Sequence, residues 1–269
     1  MTPFFKRLSE GYESPRTIVN LENFFYTSSV EKSPITTIYL MRHGATLNNI
    51  VEKDKGVLLS GHHNNPLTTE GENQAREVAQ KLSSVRFTRV ISSDLDRAFA
   101  TAKIVAPYLT VEKDEDLRER NLGILEKSGM TSTTFWNEEV HRLHADRTAN
   151  IINALPHWQL RKAKLIKGME TDEELLIRAG RVLRKVVEEN TGETVLLVSS
   201  SNFIRTFLVD MKYGTRRELR SGTCENTAYV QLTTTDGKHF HVATTDGIKK
   251  KDNSEVDNFT ELAEFSVRR

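Results

Sequence analysis

The chain has 269 residues, 37% hydrophobic and 28% charged, the balance of a soluble globular protein, which excludes disorder as its main state. With 38 Lys and Arg against 37 Asp and Glu, the net charge of +1 offers no broad field for nucleic acid or an anionic membrane, so an anionic ligand must be held by local constellations. Cys224 is the single cysteine, which excludes an internal disulfide and a cysteine-rich zinc site and points to a reducing, cytoplasmic setting.

Residues 1–34 show no clear period and close on Ser33-Pro34, which reads as an extension ahead of a domain over 35–247. No apolar run there has signal-peptide length, and no 18-residue apolar stretch exists elsewhere, so no membrane span is expected. Thr36 to Met41 is a β-branched and apolar run, a predicted buried strand that ends abruptly in Arg42-His43-Gly44. Between Thr69 and Ser83, Ala75, Val78, Ala79 and Leu82 fall on one helical face. A short strand, Arg89 to Ser92, precedes a helix carrying Leu95, Ala98, Ala102 and Val105, which Pro107 stops. A charged loop follows around Glu112 to Arg120. Thr131 to Leu155 favours helix without a clean stripe and is closed by Pro156, so about 122–170 reads as a helical cap insertion.

Thr171 and Glu174 form a capping-box pattern ahead of Leu175, Ala179, Val182, Leu183 and Val186. Thr194 to Ser199 is a continuous apolar strand that turns into Ser200-Ser201-Asn202 and a helix from Phe203. Thr227 to Thr233 and His239 to Thr244 flank Asp236-Gly237, a hairpin signal, and 248–269 reads as a charged tail. The alternation predicts a three-layer α/β domain, a mostly parallel sheet with helices on both faces, whose ligand sites lie beyond the carboxyl ends of its strands.

The sharpest polar cluster is Leu40-Met41-Arg42-His43-Gly44-Ala45-Thr46 with Asn49. Arg42 offers a planar fork of donors suited to phosphate, Gly44 admits close backbone approach, and Asn49 adds a neutral donor. His43 beside them suits a nucleophile, because an unprotonated imidazole can attack phosphorus in line and leave a phosphohistidine that water later breaks.

With Arg-His-Gly after its first strand, the sequence resembles the histidine phosphatase superfamily, the phosphoglycerate-mutase-like proteins, over roughly residues 36–245. The resemblance continues through Asn65-Pro66-Leu67-Thr68-Thr69-Glu70-Gly71 with Gln74-Ala75, and through Ser92-Ser93-Asp94-Leu95-Asp96-Arg97-Ala98 with Thr101-Ala102. It takes in Leu117-Arg118-Glu119-Arg120-Asn121-Leu122-Gly123 and Gly168-Met169-Glu170-Thr171 with Arg178. It implies the phosphoglycerate-mutase-like fold, Arg97 as a second phosphate clamp and Glu119 as the proton donor to the leaving oxygen. The implied activity is hydrolysis of a phosphomonoester through a phosphohistidine at His43, with mutase transfer the less favoured outcome. Its substrate would be a phosphorylated small molecule or phosphoprotein, and no cofactor is needed.

The family's last motif reads Val-Ser-His-Gly-Gly-x-Ile-Arg or its Asn-containing variant, and this chain has Val198-Ser199-Ser200-Ser201-Asn202-Phe203-Ile204-Arg205. Ser200 thus stands where the resemblance expects a second active-site His, able to bind phosphate but without a cation. By analogy with the loss of one transition-state donor this costs about 3 kcal/mol, on the order of a hundredfold in turnover. Two outcomes follow: a phosphatase of reduced activity, or an inactive member that binds phosphate ligands or protein partners, the extension and tail being surfaces for the latter. His62 or His63 could stand in for the lost imidazole. Ala45 and Lys127 are further departures, closer to specificity than to chemistry. His141 with His144, and His239 with His241, have ligand spacing but no third partner, so no metal is inferred. Ser199 to Ser201 lack a G-x-S-x-G elbow and do not suggest a serine hydrolase.

Overall fold

The computed structural model describes residues 34–49, 61–123, 126 and 168–251. The first predicted strand forms as β1, Thr36–Arg42, and the alternation of strand and helix continues through α1 (Thr69–Lys81), β2 (Arg89–Ser92) and α2 (Asp96–Val105). After β3 (Val111–Lys113) come α3 (Asp172–Glu189), β4 (Thr194–Ser199), α4 (Ser201–Asp210), β5 (Cys224–Thr234) and β6 (His241–Ile248). The predicted cap helix over 131–155, the extension through residue 33 and the tail beyond Lys251 lie outside the described residues.

These strands make one sheet in the order β3-β2-β4-β1-β5-β6. The β2-β3, β2-β4 and β1-β4 pairs are parallel, whereas β1-β5 and β5-β6 are antiparallel, so the sheet is mostly parallel as expected. Side chains alternate across each strand and feed two cores. Ile38, Leu40, Val195 and Leu197 pack with Leu175, Ala179 and Val182 of α3 and Phe203 and Ile204 of α4. Tyr39, Met41, Leu196 and Val198 pack with Ala75 and Val78 of α1 and Ala98 and Ala102 of α2. Helices therefore cover both faces, which is why β1 and β4 read as unbroken apolar runs.

The capping box at α3 is present: Thr171 accepts from the Glu174 N–H, and Glu174 accepts from the Thr171 N–H. Asp236-Gly237 makes the expected turn, with Gly237 at φ 67° and the Asp236 carboxylate accepting from the N–H groups of Lys238 and His239. Several boundaries differ from the sequence pattern, and β6 runs His241–Ile248 where the pattern gives His239 to Thr244. β3 lies inside the segment expected as a charged loop, because three residues carrying Glu112 and Lys113 give no periodic signal. β5 starts at Cys224, not Thr227, since its first residues leave the ladder in an irregularity that interrupts alternation. α4 begins at Ser201, two residues before its first apolar position. No described helix is long and apolar enough to cross a membrane.

Candidate active site

The carboxyl ends of β1, β2 and β4 lie side by side, which gathers the loops that follow them. The His43 N–H donates to Ser199 O at 3.0 Å, carrying the β1-β4 ladder one step past the strand. The next residues lie on the neighbouring helices: Gly44 N donates to Thr101 Oγ1 at 3.0 Å and Ala45 N to Gln74 Oε1 at 2.9 Å. A Cβ on Gly44 would sit 2.4 Å from Gly71 O, and one on Gly71 2.1 Å from Ala45 O, so both glycines are required by this approach.

His43 is buried with its ring set by two contacts. Nδ1 lies 2.7 Å from Gly44 O, and Nε2 lies 3.2 Å from Arg97 Nε. A guanidinium nitrogen only donates, so Nε2 carries the lone pair and Nδ1 the proton. Burial, then the charges of Arg97 and Arg42, hold the imidazole pKa well below its ordinary value, against the opposing pull of the Gly44 carbonyl. At neutral pH the ring is an uncharged base.

Arg97, buried on the first turn of α2, spends its other donors on the 61–65 loop. Nη1 reaches His63 O at 3.0 Å and Asn65 Oδ1 at 3.1 Å, and Nη2 reaches Gly61 O at 2.7 Å. Arg42 closes the opposite side, with Nη1 donating to Cys224 O at 2.6 Å. Its Nε is buried with no partner, and so is the hydroxyl of Ser200, a residue 1% exposed that precedes α4 without capping it.

Glu119 is buried with Oε1 accepting from Arg120 N at 2.7 Å and Oε2 from Asn202 N at 3.1 Å. Its charge acts on both Arg42 and Arg97, raising their pKa values against the burial that lowers them. The backbone under it is clamped by Arg178, which donates to the carbonyls of Asp116, Arg118 and Glu119 and pairs with Glu170 at 2.6 Å. Asn49 joins through its Oδ1, which accepts from Thr46 N and Oγ1, each at 3.1 Å.

Thus His43 and Arg97 touch, Arg42 and Glu119 surround them electrostatically, and Ser200 follows the Arg42↔Ser199 pair of the parallel β1 and β4 strands. Of the histidines that could stand in for the lost imidazole, His62 bonds Glu119 O through Nε2 at 2.8 Å, His63 is exposed with its carbonyl on Arg97 Nη1, and neither bonds the Ser200 hydroxyl. The serines diverge, Ser199 donating to Leu117 O and Ser201 accepting from Arg205 Nε. His239 pairs with Asp236, no metal cluster occurs among the described residues, and His141, His144 and Lys127 lie outside them.

Sequence reasoning missed Asn65, Cys224, Asn226 and Arg205. Arg205 is pushed down to about 10 by burial and holds Ser201 and Asn202 Oδ1. Cys224 presents its carbonyl to Arg42, and burial raises its thiol pKa. Asn65 opens the Asn65-Pro66-Leu67 segment that carries the family resemblance, a signal of its own; Asn226 has no local signal, being 183 residues from the His43 carbonyl it bonds.

Residues 38–247 match the model of the histidine phosphatase superfamily, branch 1. The chain belongs to that superfamily. Among curated relatives, a probable phosphoglycerate mutase, GpmB, of Serratia proteamaculans is 39% identical over 115 residues, 42% of this chain and 51% of the relative, so the match spans about half of that protein. Among solved structures, a phosphoglycerate mutase of Bacillus anthracis superposes with a TM-score of 0.64 at 25% identity, covering 81% of this chain and 95% of that one. A phosphoserine phosphatase of Entamoeba histolytica shares the fold at 19% identity, TM-score 0.58, covering 82% of this chain and all of the other. Proteins of this fold thus include both some named as mutases and some named as phosphatases.

Proposed function

We propose that this protein is a phosphomonoester hydrolase that works through a phosphohistidine at His43, with turnover reduced by the serine at position 200. The observation that carries this is the His43 ring itself, uncharged, with Nδ1 bonded to Gly44 O and the lone pair of Nε2 facing Arg97. In the reaction, the phosphoryl oxygens take donors from Arg42, Arg97, Asn49 and the Ser200 hydroxyl. Arg97 Nε turns from the imidazole to the phosphate, which frees Nε2 to attack. The P–N bond forms as the ester P–O bond breaks, and the Glu119 carboxylate relays to the leaving oxygen the proton that the phosphomonoester monoanion brings into the site. Glu119 then takes a proton from water, whose oxygen attacks phosphorus and breaks the P–N bond, and the departing phosphate carries that proton away. Hydrolysis is preferred to mutase transfer because a mutase must keep its phosphoenzyme until an intermediate is rephosphorylated, and a site with one cation fewer has no evident means.

One observation favours a second function, a non-catalytic module that binds a phosphate ligand or a protein partner. The Ser200 hydroxyl is neutral and unpaired where the superfamily motif has an imidazole, and most of Arg97's donors already meet protein acceptors. The deciding experiment assays wild type, Ser200→His and His43→Ala with an aryl phosphate and a panel of phosphometabolites, and traps acid-labile phosphate on the chain. Turnover by wild type, lost with its label in His43→Ala, establishes the hydrolase. A silent wild type with activity gained in Ser200→His establishes the binding module.

A further inference from the structure

Asn226 takes no part in the chemistry above, yet its side chain reaches two of the groups that do. Nδ2 donates to the His43 carbonyl at 3.1 Å and to Asn49 Oδ1 at 3.3 Å. The Thr227 N–H donates to the same His43 carbonyl at 3.3 Å. To present both donors the chain leaves the β5-β6 register between Cys224 and Tyr229, and Thr227 adopts a φ of 58°. A β-branched residue rarely takes this left-handed conformation, which persists only where its surroundings hold it. Here the holding group is the main chain of the candidate nucleophile.

We propose that Asn226 is the positioning residue that orients both His43 and Asn49 for phosphoryl transfer, an inference that rests on the phosphatase function. The β1-β5 ladder ends at the Met41↔Tyr229 pair, so beyond it the peptide of His43 has no strand partner on that side. Ser199 O holds its N–H, and Asn226 with Thr227 holds its carbonyl. With that peptide fixed, Gly44 O stands where it keeps Nδ1 protonated and Nε2 turned to Arg97. The same amide settles Asn49. Its Oδ1 accepts from Thr46 N, Thr46 Oγ1 and Asn226 Nδ2, so it is turned into the protein and the NH2 group is left as the donor for an anion. Removing Asn226 would loosen the nucleophile and a phosphate donor together while leaving Arg42 and Arg97 in place.

The test compares Asn226→Ala, Asn226→Asp and Asn226→Ser with wild type as full chains. Readouts are steady-state kinetics on an aryl phosphate, inhibition by inorganic phosphate and by orthovanadate, the thermal midpoint, and the 15N signals of the His43 ring, assigned by their loss in His43→Ala. Asn226→Ala should lower kcat by roughly 10- to 100-fold with KM moved less than about threefold, because orientation is lost while Arg42 and Arg97 still hold the phosphate. Orthovanadate inhibition should weaken more than phosphate inhibition, and the ring should lose its single Nδ1–H tautomer. Asn226→Asp, which sets a carboxylate against two oxygens, should be worse, and Asn226→Ser, which keeps a donor, should recover part of the rate. Equal weakening of both inhibitors in step with the thermal midpoint, or an unchanged tautomer, overturns the proposal. Should wild type prove inert, the phosphatase function fails while the tautomer of the resting protein still decides whether Asn226 positions His43. If Asn226→Ala does not fold, Asn226→Ser and Asn226→Asp carry the comparison.

Discussion

His43 is a base because it is buried between two guanidinium groups, and that has a consequence for pH. Its folded pKa lies well below the usual value of about 6.5, chiefly through desolvation and then through Arg97 and Arg42. Between the folded and unfolded values the unfolded chain binds more protons, so this residue's stabilising contribution is present above about pH 6.5 and is lost as pH falls towards the folded value. Acid unfolding followed by circular dichroism should therefore show a shallower loss of stability below pH 6.5 in His43→Gln than in wild type. The same shift keeps Nε2 unprotonated, so the acid limb of kcat/KM assigned to this group should lie below pH 6.5. Ser200 is the other residue on which the proposed activity turns. Ser200→His should raise turnover by about a hundredfold on an aryl phosphate if the lost imidazole is what limits it. That Arg42 and His43 belong to one candidate site was legible from residue type alone, since a guanidinium, a glycine and an imidazole in sequence suit phosphate chemistry. Asn226 was not legible, because an amide at the start of a strand acquires meaning only when folding sets it against His43 O.

Among the elements, the loop after β1 is legible through its glycine and α3 through its capping box. Gly44 and Gly71 pass so closely that a methyl on either would penetrate a backbone oxygen. Gly71→Ala should lower stability by about 1–3 kcal/mol in a urea titration, through a forced backbone shift. Activity should fall as well, since Ala45, whose carbonyl is the obstacle, lies two residues from His43. At α3, Thr171→Ala removes half of the capping box and should cost about 1 kcal/mol, read as a lower urea midpoint at unchanged slope. These features were predictable because a capping box is local chemistry. β3 escaped because three residues, two of them charged, carry no period, and its pairing with β2 supplies what its sequence lacks.

Across the molecule, the Glu119 segment is held by charges that come from distant parts of the chain. Arg178 of α3 gathers the carbonyls of Asp116, Arg118 and Glu119 and the carboxylate of Glu170. Arg120, wholly buried, meets Glu170 O at 2.8 Å and Thr206 Oγ1 at 3.0 Å, and shares Asp172 with Arg216. Arg178→Met would leave Glu170 without this partner and three carbonyls without this donor, so it should destabilise by about 3 kcal/mol or more. Thermal unfolding measures that loss directly, and Lys at the same position should restore charge but not the forked contact.

Sequence by itself determined the alternation of strands and helices, the apolar faces that bury them, the capping box and the Arg-His-Gly cluster. Each is a matter of local period or residue chemistry, readable within a few positions. Only the tertiary structure decided which groups share the site. The parallel pairing of β1 with β4 sets His43 beside the start of α4, and the antiparallel return of β5 brings Cys224 to Arg42 and Asn226 to His43. It also decided that Arg97 holds both His43 and the 61–65 loop, and that His62 meets the backbone of Glu119. The physical reason is that hydrogen bonds and charge act over a few ångströms of space, which local periodicity does not encode when the partners lie up to 183 residues apart.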